Sequence, residues 1–233
     1  MARPLADIEL ECAGCAKCAL AATRTNLVFG VGNPHANVMF VGEGPGKNED
    51  LKGEPFVGAA GQLLNQMLDR AGIPRESIYI ANILKCRPPG NRDPRPEEIE
   101  ACTPWLRQQV ASVHPTVVVT LGNFATKFIL QTSEGITRLR GRVQSAGPLR
   151  VIPMFHPAAA IYDRSKVAAL EEDFDLLRAL LERDSQLLIP SYDYCLPQKE
   201  CSCSENDDPC ETFSCISFPV GEFFPGAEGC QDG

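Results

Sequence analysis

The chain lacks several features that mark other classes of protein. No uninterrupted apolar run in its 233 residues approaches the roughly 18 residues that a membrane helix needs. Residues 1–15 contain acids and a cysteine where a secretion signal has its apolar stretch, which predicts a cytoplasmic protein without a membrane partner. An excess of positive charge is also missing, since the net charge is −8.

The negative charge is concentrated at one end of the chain. Residues 185–233 hold one lysine and nine acidic residues, which leaves a neutral body with 21 basic and 21 acidic residues. Because phosphates need only a local basic patch, the body can still bind nucleic acid. Its two groups of basic residues are Lys85, Arg87, Arg92 and Arg95, and then Arg138, Arg140, Arg142 and Arg150. Solvated surface charge explains any single one of them equally well.

A change of composition after Asp184 predicts two regions. Residues 1–184 carry the apolar patterns of a globular domain. Residues 185–233 lack helical or strand periodicity and are rich in Pro, Gly, Ser and Cys, so we interpret them as a Cys-rich acidic tail that is largely disordered. The alternative, a metal site in the tail, finds no zinc-finger spacing among Cys201, Cys203, Cys210 and Cys215.

Strand patterns alternate with helix patterns along the body. Four runs are almost wholly apolar, as buried parallel strands are: Val38–Val41, Ile78–Leu84, Val117–Leu121 and Val151–Phe155. Helical patterns cover residues 59–72, 95–113, 122–130 and 166–184. The alternation predicts an α/β fold with three layers, α/β/α, around a central four-stranded parallel sheet. Right-handed crossovers place the strand-to-helix loops, with their polar residues, at one edge of that sheet.

The cysteines of the body are spaced as metal ligands. They are Cys12, Cys15, Cys18, Cys86 and Cys102. Short spacings between reduced thiols indicate a metal rather than disulfides. A C-x-x-C pair and two distant cysteines make four thiolate ligands, which suit either zinc or an iron–sulfur cluster. The alternative is that the two distant cysteines are ordinary buried thiols.

Four longer motifs together resemble the family 4 uracil-DNA glycosylases. They are VFGVGNP, VGEGPGKNEDLKGEPFVGAAGQLL, NILKCRPPGNRDPRPEEIEAC and MFHPAAAI, and the resemblance covers roughly Cys15 to Leu181. It implies the uracil-DNA glycosylase fold and hydrolysis of the N-glycosidic bond of deoxyuridine in DNA, which releases uracil and leaves an abasic site for base excision repair. Family 5 relatives lack the acids of the GKNED segment, so family 4 is preferred.

The resemblance also implies a 4Fe-4S cluster. In the family a C-x-x-C pair stands six residues before an Arg-Thr, and Arg24-Thr25 occupies that place here. The implied ligands are Cys15, Cys18, Cys86 and Cys102. Cys12 is left as a bystander. The family's cluster is structural and holds loops near DNA, which would orient Arg87 and Arg92 toward phosphates.

Uracil release requires a pocket for the everted base, stabilisation of the departing anion and a placed water. We expect Phe56 to stack on uracil. We expect the amide of Asn82 to donate to O4 and accept from N3–H, which rejects cytosine because its edge has the opposite polarity. His156 is expected to donate to O2 as negative charge develops there. We interpret the other two histidines, His35 and His114, as structural.

The resemblance assigns further residues to the site. Glu43, Gly44 and Asn91 correspond to a hydrogen-bonded group that supports water positioning, and Glu49 corresponds to an acid with an organising role. Gly44 and Glu49 are also placed at the uracil pocket. For the two glutamates, the alternative is that they cap nearby helix amides.

The expected partner is uracil-containing DNA, single- or double-stranded, bound by a monomer, with a sliding clamp as a candidate recruiter. In the family, a leucine after the His-Pro motif commonly wedges into the duplex. Ala160 stands there, so we expect Ile161 to act as the wedge. Arg87, Arg92 and Arg140 are the other predicted DNA contacts.

Two other functions fit parts of the sequence. The first is a non-catalytic iron–sulfur or zinc module of the same fold that only binds nucleic acid. The pair Asn82 and His156 argues against it, because phosphate binding needs neither residue. The second is a glycosylase for another deaminated base, such as hypoxanthine.

Overall fold

The structure is a computed structural model that describes residues 3–187, without the side chains of residues 185–187. The chain divides into two compact units, Met1–Ala179 and Leu180–Gly233. The sheet and the sites described below belong to the first unit. Nearly all of the predicted acidic tail lies outside the described residues, so that interpretation stays a prediction. No helix in the described range combines the length and apolarity that crossing a membrane requires.

One mixed sheet forms the centre of the fold. Its six strands are β1 (Val31–Gly32), β2 (Val38–Gly42), β3 (Tyr79–Asn82), β4 (Val117–Leu121), β5 (Gln144–Ala146) and β6 (Leu149–Met154). They lie in the order β1-β3-β2-β4-β6-β5. Strands β3, β2, β4 and β6 are parallel, whereas β1 and β5 pair antiparallel to β3 and β6 at the two edges.

The α/β fold and the four parallel strands agree with the sequence prediction, but the predicted strand number was wrong. The sheet has six strands because two short antiparallel strands extend it at its edges. Strand β1 has two residues, and β5 has three residues with the sequence Gln-Ser-Ala. Neither is long or apolar enough to produce the run by which a buried strand is detected.

Eight α-helices accompany the sheet within the described residues. They are α1 (Leu5–Ala13), α2 (Lys47–Lys52), α3 (Ala59–Ala71), α4 (Pro96–Val113), α5 (Asn123–Leu130), α6 (Ile136–Leu139), α7 (Pro157–Tyr162) and α8 (Ser165–Leu187). The four predicted helices correspond to α3, α4, α5 and α8. Helix α3 ends where Gly72 adopts φ 68°, the left-handed conformation that glycine tolerates at a helix end.

The core has two parts that matter for function. Strands β2 and β4 are buried along their whole length, and the ring of Phe40 stacks on that of Phe174 in α8 with centroids 6.0 Å apart. A second apolar cluster lies where α1 packs on α4. It contains Ile8, Cys12, Leu20, Phe29, Leu84, Cys86, Cys102 and Trp105. The cysteine-rich segments therefore meet in the protein interior.

The parallel strands bring four chain segments to one edge of the sheet. Gly42, the last residue of β2, is paired with Asn82, the last residue of β3. Leu121 at the end of β4 is paired with Met154 at the end of β6, and His156 follows two residues later. Residues far apart in sequence therefore become neighbours at the carboxyl ends of the strands, where open α/β sheets bind ligands.

Candidate active site

A cavity of about 350 Å³ opens at this edge of the sheet. Its wall contains residues from the loop after β2, the loop before α3, the turn before α4 and the start of α7. Of the predicted site residues, it brings together Glu43, Gly44, Glu49, Phe56, Asn91, Arg92 and His156. A mostly apolar cavity with a few converging polar groups is typical of a small-molecule or nucleobase site.

Phe56 and His156 form the aromatic part of the cavity. Their rings stack with centroids 5.5 Å apart at an interplanar angle of 27°. Phe56 has φ 55°, an uncommon backbone conformation for a bulky residue, and it lies in a loop as predicted. A Cβ atom at Gly61 in α3 would collide with the Phe56 carbonyl. Only glycine at position 61 therefore allows the Phe56 loop to pack so closely on α3.

Asn82 approaches the same region from the end of β3. Asn82 is buried, with 3% of its surface exposed. A Cβ atom at Gly42 would collide with Asn82 Oδ1 and would lie 3.1 Å from the Phe56 ring. Asn82 is not one of the residues that line the 350 Å³ cavity, but its amide and the Phe56 ring meet at one glycine. Two of the predicted base contacts are thus neighbours.

The imidazole of His156 is held in one orientation and one tautomer. His156 precedes α7, and its Nδ1 accepts a hydrogen bond of 3.1 Å from the backbone N–H of Ala158. In the neutral ring the proton therefore sits on Nε2, which is free to donate. Burial lowers the pKa of His156 to about 4, although the charge of Glu49 opposes the shift. The imidazole is neutral at physiological pH.

Glu49 organises the loop that carries Phe56. Its Oε1 accepts hydrogen bonds from the backbone N–H groups of Val57, at 3.0 Å, and Gly58, at 2.9 Å. Gly58 immediately precedes α3, so the carboxylate satisfies donors at a helix start and interacts with the positive end of the helix dipole. The capping alternative considered for the glutamates describes Glu49 well.

Glu43 has a different environment, because none of the residues described by the structure donates a hydrogen bond to its carboxylate. Glu43 is half-buried, and it borders both the 350 Å³ cavity and a neighbouring cavity of about 590 Å³. Burial raises the pKa of Glu43, and the charge of Asp93 raises it further. The carboxylate is therefore able to accept a hydrogen bond from a water molecule.

The cysteines form a separate cavity behind the site. Its wall includes the four predicted ligands, Cys15, Cys18, Cys86 and Cys102. Cys12 is fully buried in the apolar cluster and is not part of that wall. Within residues 3–187, no group of three or more His, Cys, Asp and Glu side chains is arranged to hold a metal ion.

Nitrogen donors nevertheless surround these sulfur atoms. Arg24 Nη1 donates to Cys86 Sγ at 3.3 Å, the backbone N–H of Lys85 to Cys102 Sγ at 3.2 Å, and Trp105 Nε1 to Cys15 Sγ at 3.4 Å. Hydrogen bonds of this kind stabilise thiolate ligands and tune iron–sulfur clusters. The donor set therefore fits a four-thiolate centre.

Sequence comparisons agree with this geometry. Residues 29–182 match the uracil DNA glycosylase superfamily. The type-4 uracil-DNA glycosylase of Archaeoglobus fulgidus is 46% identical over 198 residues, which cover 82% of this chain and 98% of the relative. The chain belongs to the type-4 uracil-DNA glycosylases.

Other relatives agree with that assignment. The type-4 uracil-DNA glycosylase of Thermotoga maritima is 42% identical over 73% of this chain and 91% of the relative. The type-5 uracil-DNA glycosylase of Pyrobaculum aerophilum is 32% identical over 54% of this chain and 63% of the relative. The preference for family 4 over family 5 is therefore supported.

For Lys85, the sequence of this type-4 family member left phosphate contact and solvated surface charge open, and the structure shows neither, because Lys85 lies inside the protein. It is 1% exposed, and its ammonium donates to backbone and side-chain oxygens inside the protein. Arg140 is also held internally, since it pairs with the buried carboxylate of Asp173 and with Glu172. Because these carboxylates offset its charge, Arg140 is expected to bind DNA phosphates more weakly than the sequence predicted.

The two other predicted arginine contacts lie beside the cavity. Arg87 Nε donates to Asn91 Oδ1 at 2.7 Å. Arg92 makes two hydrogen bonds to Glu98, whose side chain is 2% exposed. The bond to Arg87 fixes the side chain of Asn91, whose φ of 55° places it in a tight turn. The side chain of Asn91 is therefore held in a fixed position in the wall of the cavity.

Apolar side chains are exposed at the end of α7, where the wedge was predicted. Ala160 is buried, Ile161 is 43% exposed and Tyr162 is 91% exposed. None of the four predicted helices covers this HPAAA segment, but α7 begins directly after His156. The helix holds the exposed pair close to the imidazole.

Sequence reasoning missed several residues that shape the site. Gly42 and Gly61 allow the close approaches at Asn82 and Phe56. Gly122, with φ 93°, allows the loop after β4 to lie against His156, since a Cβ there would be 3.1 Å from that of His156. Glycines at strand ends in the FVGEG and VTLGN segments were the available signal.

Proposed function

We propose that this type-4 uracil-DNA glycosylase removes uracil from DNA by hydrolysing the N-glycosidic bond of deoxyuridine. The observation that carries the proposal is the cavity at the carboxyl ends of the strands, where Phe56, His156 and Glu43 converge in a chain of this family. Base stacking, stabilisation of a leaving anion and water positioning each need one of these side chains.

The base must leave the DNA stack to reach this cavity. We propose that the everted uracil lies against the Phe56 ring. Asn82 then reads the edge of the ring by donating to O4 and accepting from N3–H. Because Asn82 is buried, a base that leaves its amide unpaired is strongly disfavoured.

Cleavage separates charge between the base and the sugar. The N1–C1′ bond breaks with its electron pair moving onto uracil, while C1′ gains oxocarbenium character. The Nε2–H of neutral His156 donates to O2 as the negative charge develops there, in the manner of an oxyanion hole. The imidazole keeps its proton in this step, so uracil departs as an anion.

Water completes the reaction at C1′. We propose that Glu43 accepts a hydrogen bond from this water and directs its oxygen toward C1′, with Asn91 and Gly44 shaping the same wall. As the new C–O bond forms, the proton passes to the Glu43 carboxylate. Glu49 acts indirectly by holding the loop that carries Phe56.

Contacts to DNA surround the cavity in this proposal. Arg87, which forms no ion pair with a carboxylate of residues 3–184, is the better candidate for phosphate binding. Arg92 and Arg140 are weaker candidates, because each is paired with a buried carboxylate. Ile161 is the proposed wedge, with exposed Tyr162 beside it. We propose that the protein acts as a monomer. A sliding clamp stays a candidate recruiter.

We further propose that Cys15, Cys18, Cys86 and Cys102 bind a 4Fe-4S cluster. Such a cluster supplies a covalent cross-link between distant chain segments. These cysteines lie before the first 3₁₀ turn (Ala19–Ala22), after β3 and within α4. Binding would fix the loop that begins at Cys86 and continues through Arg87 and Asn91, which forms one side of the uracil cavity.

The cluster assignment predicts different effects for two cysteine substitutions. Purified protein is expected to be brown and to contain iron and sulfide, and Cys86→Ser is expected to lose most of both because one of four ligands is gone. Cys12→Ser is the matched control and should retain both. Iron and sulfide analysis with visible absorbance measures the outcome. A colourless protein with stoichiometric zinc, or equal losses in the two variants, contradicts the assignment.

Uracil removal is tested with an oligonucleotide that contains a single uracil. After incubation, alkali cleaves the strand wherever a base is missing. The parent protein is expected to yield the cleaved product from the uracil strand and none from a matched thymine strand. A protein that binds both strands and leaves both uncut is a nucleic-acid-binding module, which is the alternative function.

A further inference from the structure

Lys85 is a buried cation without an acidic partner. Among residues 3–184 it is the one basic residue that is buried, and no Asp or Glu carboxylate in this range pairs with its ammonium. Lys85 instead lies beside two of the predicted cluster ligands, since it immediately precedes Cys86 in the chain and its backbone N–H contacts the sulfur of Cys102. A nearby negative charge stabilises a buried ammonium, so an anionic cluster at the cysteines would stabilise the charged form of Lys85.

Lys85 also joins the two sites by hydrogen bonds. Its backbone N–H donates to Cys102 Sγ at 3.2 Å, and its Nζ donates to the backbone carbonyl of Asn82 at 2.7 Å. Nζ makes a second bond to Gln109 Oε1. One residue thus contacts a predicted cluster ligand at one end and the uracil-reading residue at the other.

Gln109 anchors this connection. It is fully buried in α4, and its Nε2 donates to the backbone carbonyl of Phe29 at 2.9 Å and to Tyr79 Oη at 3.1 Å. Because Tyr79 begins β3 and Asn82 ends it, the Lys85–Gln109 pair ties both ends of that strand to α4. A buried hydrogen-bonded network of this kind favours one geometry.

We propose that Lys85 is a positioning residue that couples the cysteine site to uracil recognition. It supplies the buried positive charge that an anionic four-thiolate cluster requires, and it fixes the end of β3 that presents Asn82. This inference rests on the proposed function, because it assigns a role toward both the cluster and the base.

The test compares Lys85→Met, which lacks both the charge and the donor, with Lys85→Gln, which lacks the charge but keeps an N–H donor on a shorter side chain. Both variants are expected to lose iron to a chelator at least about tenfold faster than the parent, because groups around the ligands typically change metal affinity tenfold or more. Both should also shift the reduction midpoint of the cluster to more negative values. Lys52→Met is the control for lost charge, since Lys52 is exposed at the end of α2.

Measuring uracil recognition distinguishes the role of Lys85 toward Asn82 from its role toward the cluster. Lys85→Met should narrow the ratio of uracil to cytosine release, and Lys85→Gln should partly restore it because its amide still donates toward Asn82. Parent-like iron loss and a parent-like ratio in both variants would overturn the inference. A parent that releases no uracil would refute the glycosylase proposal instead, and the iron-loss comparison would still test the charge of Lys85.

A second variant covers the case in which Lys85→Met does not fold. Gln109→Glu keeps the lysine and places a carboxylate against its ammonium, which cancels the field on the cysteines. The reduction midpoint should again become more negative. An unchanged midpoint in a folded Gln109→Glu protein would show that the cluster does not sense this charge.

Discussion

Replacing His156 by asparagine is expected to lower the rate of uracil release by about 10²- to 10³-fold, the usual cost of losing one oxyanion donor. Asparagine caps helices well, so its side-chain oxygen takes over the bond from Ala158 and α7 stays in place. The variant therefore removes the donor and keeps the fold. Single-turnover rates on a uracil oligonucleotide, with melting temperatures alongside, measure the two effects.

His156→Ala is the companion variant, because it removes both the donor and the cap. Its activity should fall as far as that of His156→Asn, and it should also be less stable by about 1 kcal/mol, the typical cost of a lost cap. Parent-like rates in both variants would show that His156 has no part in the chemistry.

The pH dependence of the rate tests the role of Glu43 beside that of His156. The active form of His156 is neutral, and its pKa of about 4 keeps it neutral from physiological pH down to that value. Glu43 must be ionised to orient water, and its pKa is raised by burial and by Asp93. The rate should therefore fall with decreasing pH as Glu43 becomes protonated, and Glu43→Gln should abolish this limb.

Replacing Asn82 by aspartate is expected to narrow the preference for uracil over cytosine by at least about 10²-fold, since readout by buried hydrogen bonds supplies up to about 10⁴- to 10⁵-fold discrimination. An ionised aspartate cannot donate to uracil O4, but it accepts a hydrogen bond from the amino group of cytosine. Uracil release should slow while cytosine release becomes detectable. Rates on matched uracil and cytosine strands measure the ratio.

Asn82→Ala is the control for this substitution. It leaves the backbone carbonyl that receives the Lys85 bond but removes the amide, so both bases should be released slowly. An unchanged uracil-to-cytosine ratio in the aspartate variant would show that another group reads the base.

The sequence predicted the parts of the fold that have strong local signals. The four parallel strands are continuous apolar runs, and α3, α4, α5 and α8 carry helical periodicity. Strands β1 and β5 were missed because two or three residues cannot show a pattern. Helix α7 was not predicted, because its six residues are too few to show a helical pattern.

Site residues that belong to a family motif could be predicted from the sequence. Residues whose environment depends on contacts with distant parts of the chain could not. Phe56 and His156 lie together as expected. No local sequence pattern indicates that the absence of a side chain at Gly61 allows the Phe56 backbone to pack against α3. The internal pairing of Arg140 depends on Asp173, which lies 33 residues away. The burial of Lys85 was not predicted either, because its partner Gln109 is distant in sequence and a lysine in a basic segment resembles a surface charge.

The most direct measurement of the central claim is the identity of the released base. A uracil-containing oligonucleotide is incubated with the protein, and free bases and abasic sites are quantified together by mass spectrometry. We expect free uracil in equal amount to abasic sites, with none from a thymine strand. Strand breaks or DNA binding without free uracil would contradict the proposed hydrolysis.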